Sequence, residues 1–277
     1  MLLSANLIKI HDAFGVYKMF DVLGEVGFEA VDFSLDMAEY RDNNYDKDYY
    51  LSLKKYANDR GIVIGQAHAP FPSDFEDVEQ TEKRFNEIVK TIENASYLGA
   101  PMIVVHPRYF LKDLHEGNVE FYKKLIPYAE KFGIKIAIEN IAYAIDATAT
   151  PETLIKLYDT LNNPVFTICF DVGHSILKKV DPAIAIKQLG DRLKNGCLHV
   201  HDNDGVSDAH TLPYHGIIEW DSIMKALAEI GYTGNLSYEA SRFFKNLPTD
   251  LYYDGLNYKA KVGKYLINKF NEYKKEL

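Results

Sequence analysis

Six residues in this chain have types and spacing that suit metal chemistry: His68, His106, Glu139, Asp171, His199 and Glu239. Five of them directly follow a short apolar run, and His199 stands near the end of another. The runs are GIVIGQA before His68, PMIVV before His106, IKIAI before Glu139, VFTICF before Asp171, GCLHV around His199 and NLSY before Glu239. Successive gaps are 38, 33, 32, 28 and 40 residues, each about the length of one strand-plus-helix unit. Imidazoles with carboxylates suit hard or borderline divalent ions such as Mn²⁺, Mg²⁺, Co²⁺, Fe²⁺ or Zn²⁺. A lone histidine after a strand is more often a satisfied polar group than a ligand, and a lone Glu139 could simply cap the next element. Six ionisable residues at equivalent places in six consecutive units carry the signal.

The surrounding pattern explains how they would be brought together. Strand-like apolar runs occupy 2–8, 29–34, 61–67, 101–105, 134–138, 165–170, 196–200 and 235–238. Between and after them lie helix candidates at 16–26, 47–60, 78–98, 119–132, 151–161, 181–189, 220–230 and 258–273. Gly61, Gly99, Gly133 and Gly231 supply stop signals, and Pro151 and Pro182 supply starts. Eight alternating pairs predict a parallel sheet with right-handed crossovers, closed as a single α/β (β/α)₈ TIM barrel spanning 1–277. A doubly wound open sheet is the alternative, but no GxGxxG follows an early strand. In a barrel the six residues would surround the C-terminal mouth, where such folds place active sites.

Strand alternation adds a prediction. Cys169 and Asp171 share one face, as do Cys197, His199 and His201, so these should point into the barrel. Ile168, Phe170, Leu198 and Val200 should face the helices. The two cysteines would then pack beneath the metal site as buried free thiols of a reducing compartment rather than act as ligands.

Bulk composition excludes several classes. A net charge of -9 argues against a large nucleic-acid footprint, which favours a basic face. The N-terminus lacks a basic segment before its short apolar stretch, and no apolar run approaches about 18 residues. A cytoplasmic protein without membrane association is expected.

The motifs HAPF (68–71), VVHP (104–107), AIEN (137–140), FDVGH (170–174), LHVHDNDG (198–205), SDAH (207–210), GIIEW (216–220) and LSYEA (236–240) resemble, in this order and spacing, the xylose isomerase-like TIM barrel superfamily. That superfamily holds sugar and inositol isomerases and epimerases, and also zinc-dependent apurinic endonucleases. By resemblance, epimerase-like members hold one metal through positions matching Glu139, Asp171, His199 and Glu239, with the position of His174 touching substrate oxygens. The endonucleases add positions matching His68, His106, His174, Asp208 and His210 and hold three zinc ions. All nine are present here. The loops argue against DNA: PRYFLKDLHEGN after His106 has mixed charge, and APFPSDFEDVE after His68 is acidic. Ketose epimerases of this kind place an arginine six residues beyond the metal histidine; here that residue is Gly205.

Three functions are therefore weighed. The first is a metal-dependent isomerase or epimerase of a sugar, inositol or related polyol ketone, working through an enediolate. Glu139 and Glu239 would serve as base and acid on opposite faces of the substrate. His174 and His201 would bond hydroxyls, and Phe71 and Trp220 would wall the ring. The second is a multinuclear zinc phosphoesterase, in which His68, His106, His174, Asp208 and His210 are ligands. The third is a non-catalytic sugar-binding barrel. The resemblance also implies a homodimer or homotetramer.

Overall fold

A computed structural model describes residues 1–143 and 147–277. Its strands are β1 (Leu3–Asn6), β2 (Ala30–Ser34), β3 (Val63–His68), β4 (Met102–Val105), β5 (Lys135–Glu139), β6 (Phe166–Asp171), β7 (Cys197–His199) and β8 (Leu236–Tyr238). All pair in parallel, in the order β7-β6-β5-β4-β3-β2-β1-β8. A parallel bridge between Val200 and Tyr238 draws the two ends of the sheet together: Val200 N–H donates to Ser237 O at 2.8 Å, and Glu239 N–H to Val200 O at 3.1 Å. The fold is the eight-stranded TIM barrel that the alternation predicts.

The main helices are Val16–Val26, Lys47–Asn58, Val78–Leu98, Leu114–Phe132, Pro151–Leu161, Pro182–Leu189, Trp220–Glu229 and Tyr252–Glu276. Side chains of Asp46, Asp77, Asp113, Thr150 and Asp181 accept from first-turn amides and set five of the starts. Gly99 and Gly133 end their helices at φ of 81° and 63°, where a side chain would be strained. Two helices begin earlier than their periodicity suggests. Asp113 caps the fourth, ahead of its helix-poor Gly117. The last one includes Gly255, where a Cβ would crowd Phe244 and Leu247. The first strand ends early because Ile8 opens a short helix, Ile8–Phe14. Similar short helices, Ala38–Asp42 and Val172–Leu177, follow β2 and β6. None of the described helices is long and apolar enough to cross a membrane.

The core has two layers, divided as strand alternation requires. Ile103, Ile136, Ile138, Ile168, Phe170, Leu198 and Val200 pack outward in one continuous cluster with the helices. Val104, Ala137, Cys169 and Cys197 form a separate small cluster, with Met102 against it, inside the barrel. Both cysteines are free and buried. Burial, a hydrogen bond from Cys197 and that neighbour's charge push the Cys169 thiol well up, so it stays neutral rather than becoming a thiolate ligand.

Candidate metal centre

The same alternation that plugs the barrel places the donors above the plug. Residues two further along each strand from Ala137, Cys169 and Cys197 are Glu139, Asp171 and His199, the last residues of β5, β6 and β7. His68 ends β3, while His106 and Glu239 directly follow β4 and β8. His199 Nδ1 lies 2.7 Å from Glu139 Oε1 and 3.3 Å from Glu239 Oε2. Donor atoms of Glu139, Asp171, His199 and Glu239 all fall within 4.8 Å of one another.

Two further groups adjoin this quartet. His68 and His106 converge on Glu139, with ring nitrogens 3.7 and 2.9 Å from its Oε2. On the other side His174, His201, Asp208 and His210 form a second four-donor group within the same 4.8 Å limit. His174 gets there because the Asp171 side chain accepts from its backbone N–H at 2.7 Å and so starts the short helix Val172–Leu177. Asp208 and His210 come from the loop after β7, with 2.9 Å between Asp208 Oδ2 and His210 Nε2.

Three of these rings are oriented by what lies behind them. His68 Nδ1 is 2.8 Å from Ala69 O, His174 Nδ1 is 2.8 Å from Asn140 O, and His210 Nδ1 is 2.8 Å from Glu239 O. A carbonyl only accepts, so each of these Nδ1 atoms carries a proton and each Nε2 is turned toward the mouth. Such outer bonds to ring nitrogens typify metal-binding histidines.

Electrostatics point the same way. Burial alone would raise Glu139, but His199 and His106 hold its carboxyl well below the ordinary carboxylate range. Asp171 is equally buried, and His174 and His201 bring it down to about 2. Burial opposes charge on the rings as well. Even so, Asp171 and Asp208 push His174 up to about 10, Glu239 and Asp208 push His210 up to about 9, and Glu139 and Asp36 push His68 up to about 9. At His106 burial wins and the ring is lowered. The mouth thus keeps Glu139 and Asp171 ionised and draws positive charge onto His68, His174 and His210.

A divalent cation fits these donors. Glu139 Oε2, Glu239 Oε2, Asp208 Oδ1 and His201 Nδ1 are buried without a hydrogen-bond partner among the described residues. Glu139 Oε2 has His106 Nε2 2.9 Å away as an ion-pair neighbour, so the Glu239 and Asp208 oxygens are the clearer cases. Buried carboxylate oxygens left unsatisfied are costly unless something else takes their lone pairs.

The remaining sequence-predicted residues divide. Phe71 is 49% exposed and stacks on His106 with ring centroids 4.8 Å apart, so it stands at the mouth. Trp220 does not. It is 1% exposed, and its indole Nε1 donates to Asp202 Oδ2 at 2.8 Å, which makes it a core residue and corrects its reading as a substrate wall. His201 is fully buried, 3.1 Å from Asp171 through Nε2 and stacked on His210 at 4.0 Å. Its ring occupies the space where a Cβ on residue 173 would stand, so Gly173 must be glycine.

Sequence reasoning missed Asp32, Gln66, Asn140 and Asp202. Asn140 ties β5 to β6, donating to Asp171 O at 2.8 Å and accepting from its N–H at 2.6 Å. Asp202 anchors the loop after β7, accepting from Asn203, Tyr214 and Ile218 amides besides Trp220. Asp32 and Gln66 sit inside the barrel, 3.0 Å apart. A signal was available for Asp32: it is a charged residue within an otherwise apolar run, in phase with inward-facing Ser34.

The family model for the xylose isomerase-like TIM barrel matches residues 20–257. An uncharacterized protein of Methanocaldococcus jannaschii, MJ1311, is 32% identical over 210 residues, covering 69% of this chain and 71% of its own. D-psicose 3-epimerase of Enterocloster bolteae is 25% identical over 236 residues, covering 80% of this chain and 75% of its own. A solved structure of IOLI protein with a zinc atom superposes with a TM-score of 0.77 at 18% identity, covering 99% of both chains, a likeness of fold.

Proposed function

From the premise that this chain belongs to the xylose isomerase-like TIM barrel family, we propose that it is a divalent-metal-dependent isomerase or epimerase of a sugar, inositol or related polyol ketone. The observation that carries this reading is the convergence of two glutamates, from β5 and from the residue after β8, on one ring nitrogen of His199. Each has a buried oxygen with no hydrogen-bond partner among the described residues.

Glu139, Asp171, His199 and Glu239 would hold the ion. When bound, a divalent cation supplies positive charge beside a substrate carbonyl and makes the neighbouring C–H more acidic. The chain's own groups then divide the work. One glutamate takes the proton next to the carbonyl, giving an enediolate, and the other returns a proton from the opposite face. His174, with Nδ1 committed to Asn140 O, offers Nε2 toward the mouth for a substrate hydroxyl. Phe71 supplies an apolar wall over His106. The relationship to D-psicose 3-epimerase supports a carbohydrate substrate, and the zinc of the IOLI structure supports a divalent ion, drawn from Zn, Mn, Mg or Co.

Exchange of the substrate α-hydrogen with solvent tests this. Ketohexoses, inososes and sugar phosphates incubated with metal-loaded protein in D₂O should yield at least one substrate that gains deuterium next to its carbonyl. Glu139→Gln and Glu239→Gln should each stop it; exchange that survives both substitutions rules out the two-glutamate chemistry.

One observation favours a second reading, a multinuclear zinc phosphoesterase. His68 with His106, and His174 with His201, Asp208 and His210, extend the donor set on both sides of the quartet. One bound ion per chain supports proton transfer. Two or three, with His106 directly bonded, support hydrolysis.

A further inference from the structure

On the reading of Glu139, Asp171, His199 and Glu239 as the metal centre, we propose that Asp32 is its positioning residue, fixing the orientation and tautomer of His199 from across the barrel. His199 lies on β7 and Asp32 on β2, three strands apart around the barrel by way of β8 and β1. Both are fully buried. Asp32 Oδ2 accepts from His199 Nε2 at 3.1 Å and from Gln66 Nε2 at 3.0 Å. Gln66 faces Asp32 in the β2–β3 register, so the acceptor is itself held in place.

The consequence falls on the other ring nitrogen. With Nε2–H committed to Asp32, Nδ1 is the atom aimed at Glu139 and Glu239. In this respect His199 differs from His68, His174 and His210; His201 also meets a carboxylate, but that is Asp171, itself one of the quartet. His68, His174 and His210 rest on neutral backbone carbonyls, whereas His199 rests on a carboxylate. A carboxylate behind an imidazole both locks its tautomer and makes the ligating nitrogen more basic.

Folding alone gives little reason for Asp32. Its Oδ1 is buried with no hydrogen-bond partner among the described residues, which costs stability that an apolar side chain would not. A group kept at such a cost inside a barrel interior is explained by what it does to its neighbour.

Zinc titration of metal-stripped protein by calorimetry, with ¹⁵N NMR of the zinc-loaded histidines, tests the proposal. Asp32→Leu should weaken zinc binding by about 10- to 100-fold. Asp32→Asn should fall between it and the unaltered protein, because the amide oxygen can still accept from Nε2–H. The His199 ¹⁵N shifts should report Nε2 protonated and Nδ1 metal-bound in the unaltered protein, and the Nε2 signal should move in both variants. A purely structural role would lower the melting temperature of the metal-free variants and leave the zinc affinity of folded protein and the His199 signature in place. That result overturns the proposal for Asp32 while leaving the metal centre standing. Should Asp32→Leu not fold, unchanged affinity and shifts in Asp32→Asn overturn it equally. Unaltered protein that binds no zinc would remove the metal centre itself, and this inference with it.

Discussion

Lys259, in the closing helix Tyr252–Glu276, is 1% exposed and makes no hydrogen bond or ion pair among the described residues. Its ammonium faces only the rings of Tyr238 and Phe244, at 5.0 and 5.6 Å from their centroids. Burial brings its pKa down to about 7 from an ordinary 10.5. Between those two pH values the unfolded chain binds a proton that the folded chain does not, so stability rises with pH across that window. The penalty is complete below pH 7 and gone above pH 10.5. Each unit is worth about 1.4 kcal/mol and titration is partial at both ends, so the contribution of this one group should change by about 3.5 kcal/mol between pH 7 and pH 10. Replacing Lys259 by Met, which fills the same slot without a charge, removes that dependence. Urea unfolding of both proteins at several pH values isolates the effect, because every other titrating group cancels in the difference. The Lys259→Met variant should be the more stable at pH 7, and its advantage should shrink by about 3.5 kcal/mol toward pH 10. Parallel stability profiles would refute the reasoning and show that the folded protein carries Lys259 charged without cost.

Further outcomes follow from the site. Gly173→Ala should evict the His201 ring and cost about 1–3 kcal/mol in urea unfolding, against the gain that alanine normally brings over glycine in a helix. Asp202→Ala should release the loop after β7; its bonds to three amides and an indole set a loss of about 2–4 kcal/mol, with faster amide exchange at residues 203, 214 and 218 as the local readout. Phe71→Ala, at an exposed ring, should change stability by less than about 1 kcal/mol while raising KM for a ring substrate more than it lowers kcat.

Much of this arrangement was legible because a parallel barrel converts sequence period into position. A residue at the end of each apolar run must stand at one mouth, and alternation decides whether it points in, so Cys169 predicts Asp171 and Cys197 predicts His199. The helix termini were legible where a start or stop residue announced them, as at Pro151 and Gly99. Distances across the barrel were not: nothing in the spacing of Asp32 and His199 reveals that their side chains bond through the interior. Trp220 was misread for a related reason. An aromatic residue near the ligand motifs suggests a sugar wall, but the Asp202 carboxylate draws its indole into the core. The short helices after β1, β2 and β6 span seven, five and six residues, too few for a 3.6-residue period to show.

An anomalous-difference map from crystals of metal-stripped protein reloaded with Mn²⁺ tests the metal centre most directly. The account predicts a peak bounded by Glu139, Asp171, Glu239 and His199, with Nδ1 as the ligating ring nitrogen. A map with no peak there, or with the ion ligated by His199 Nε2 instead, would contradict it.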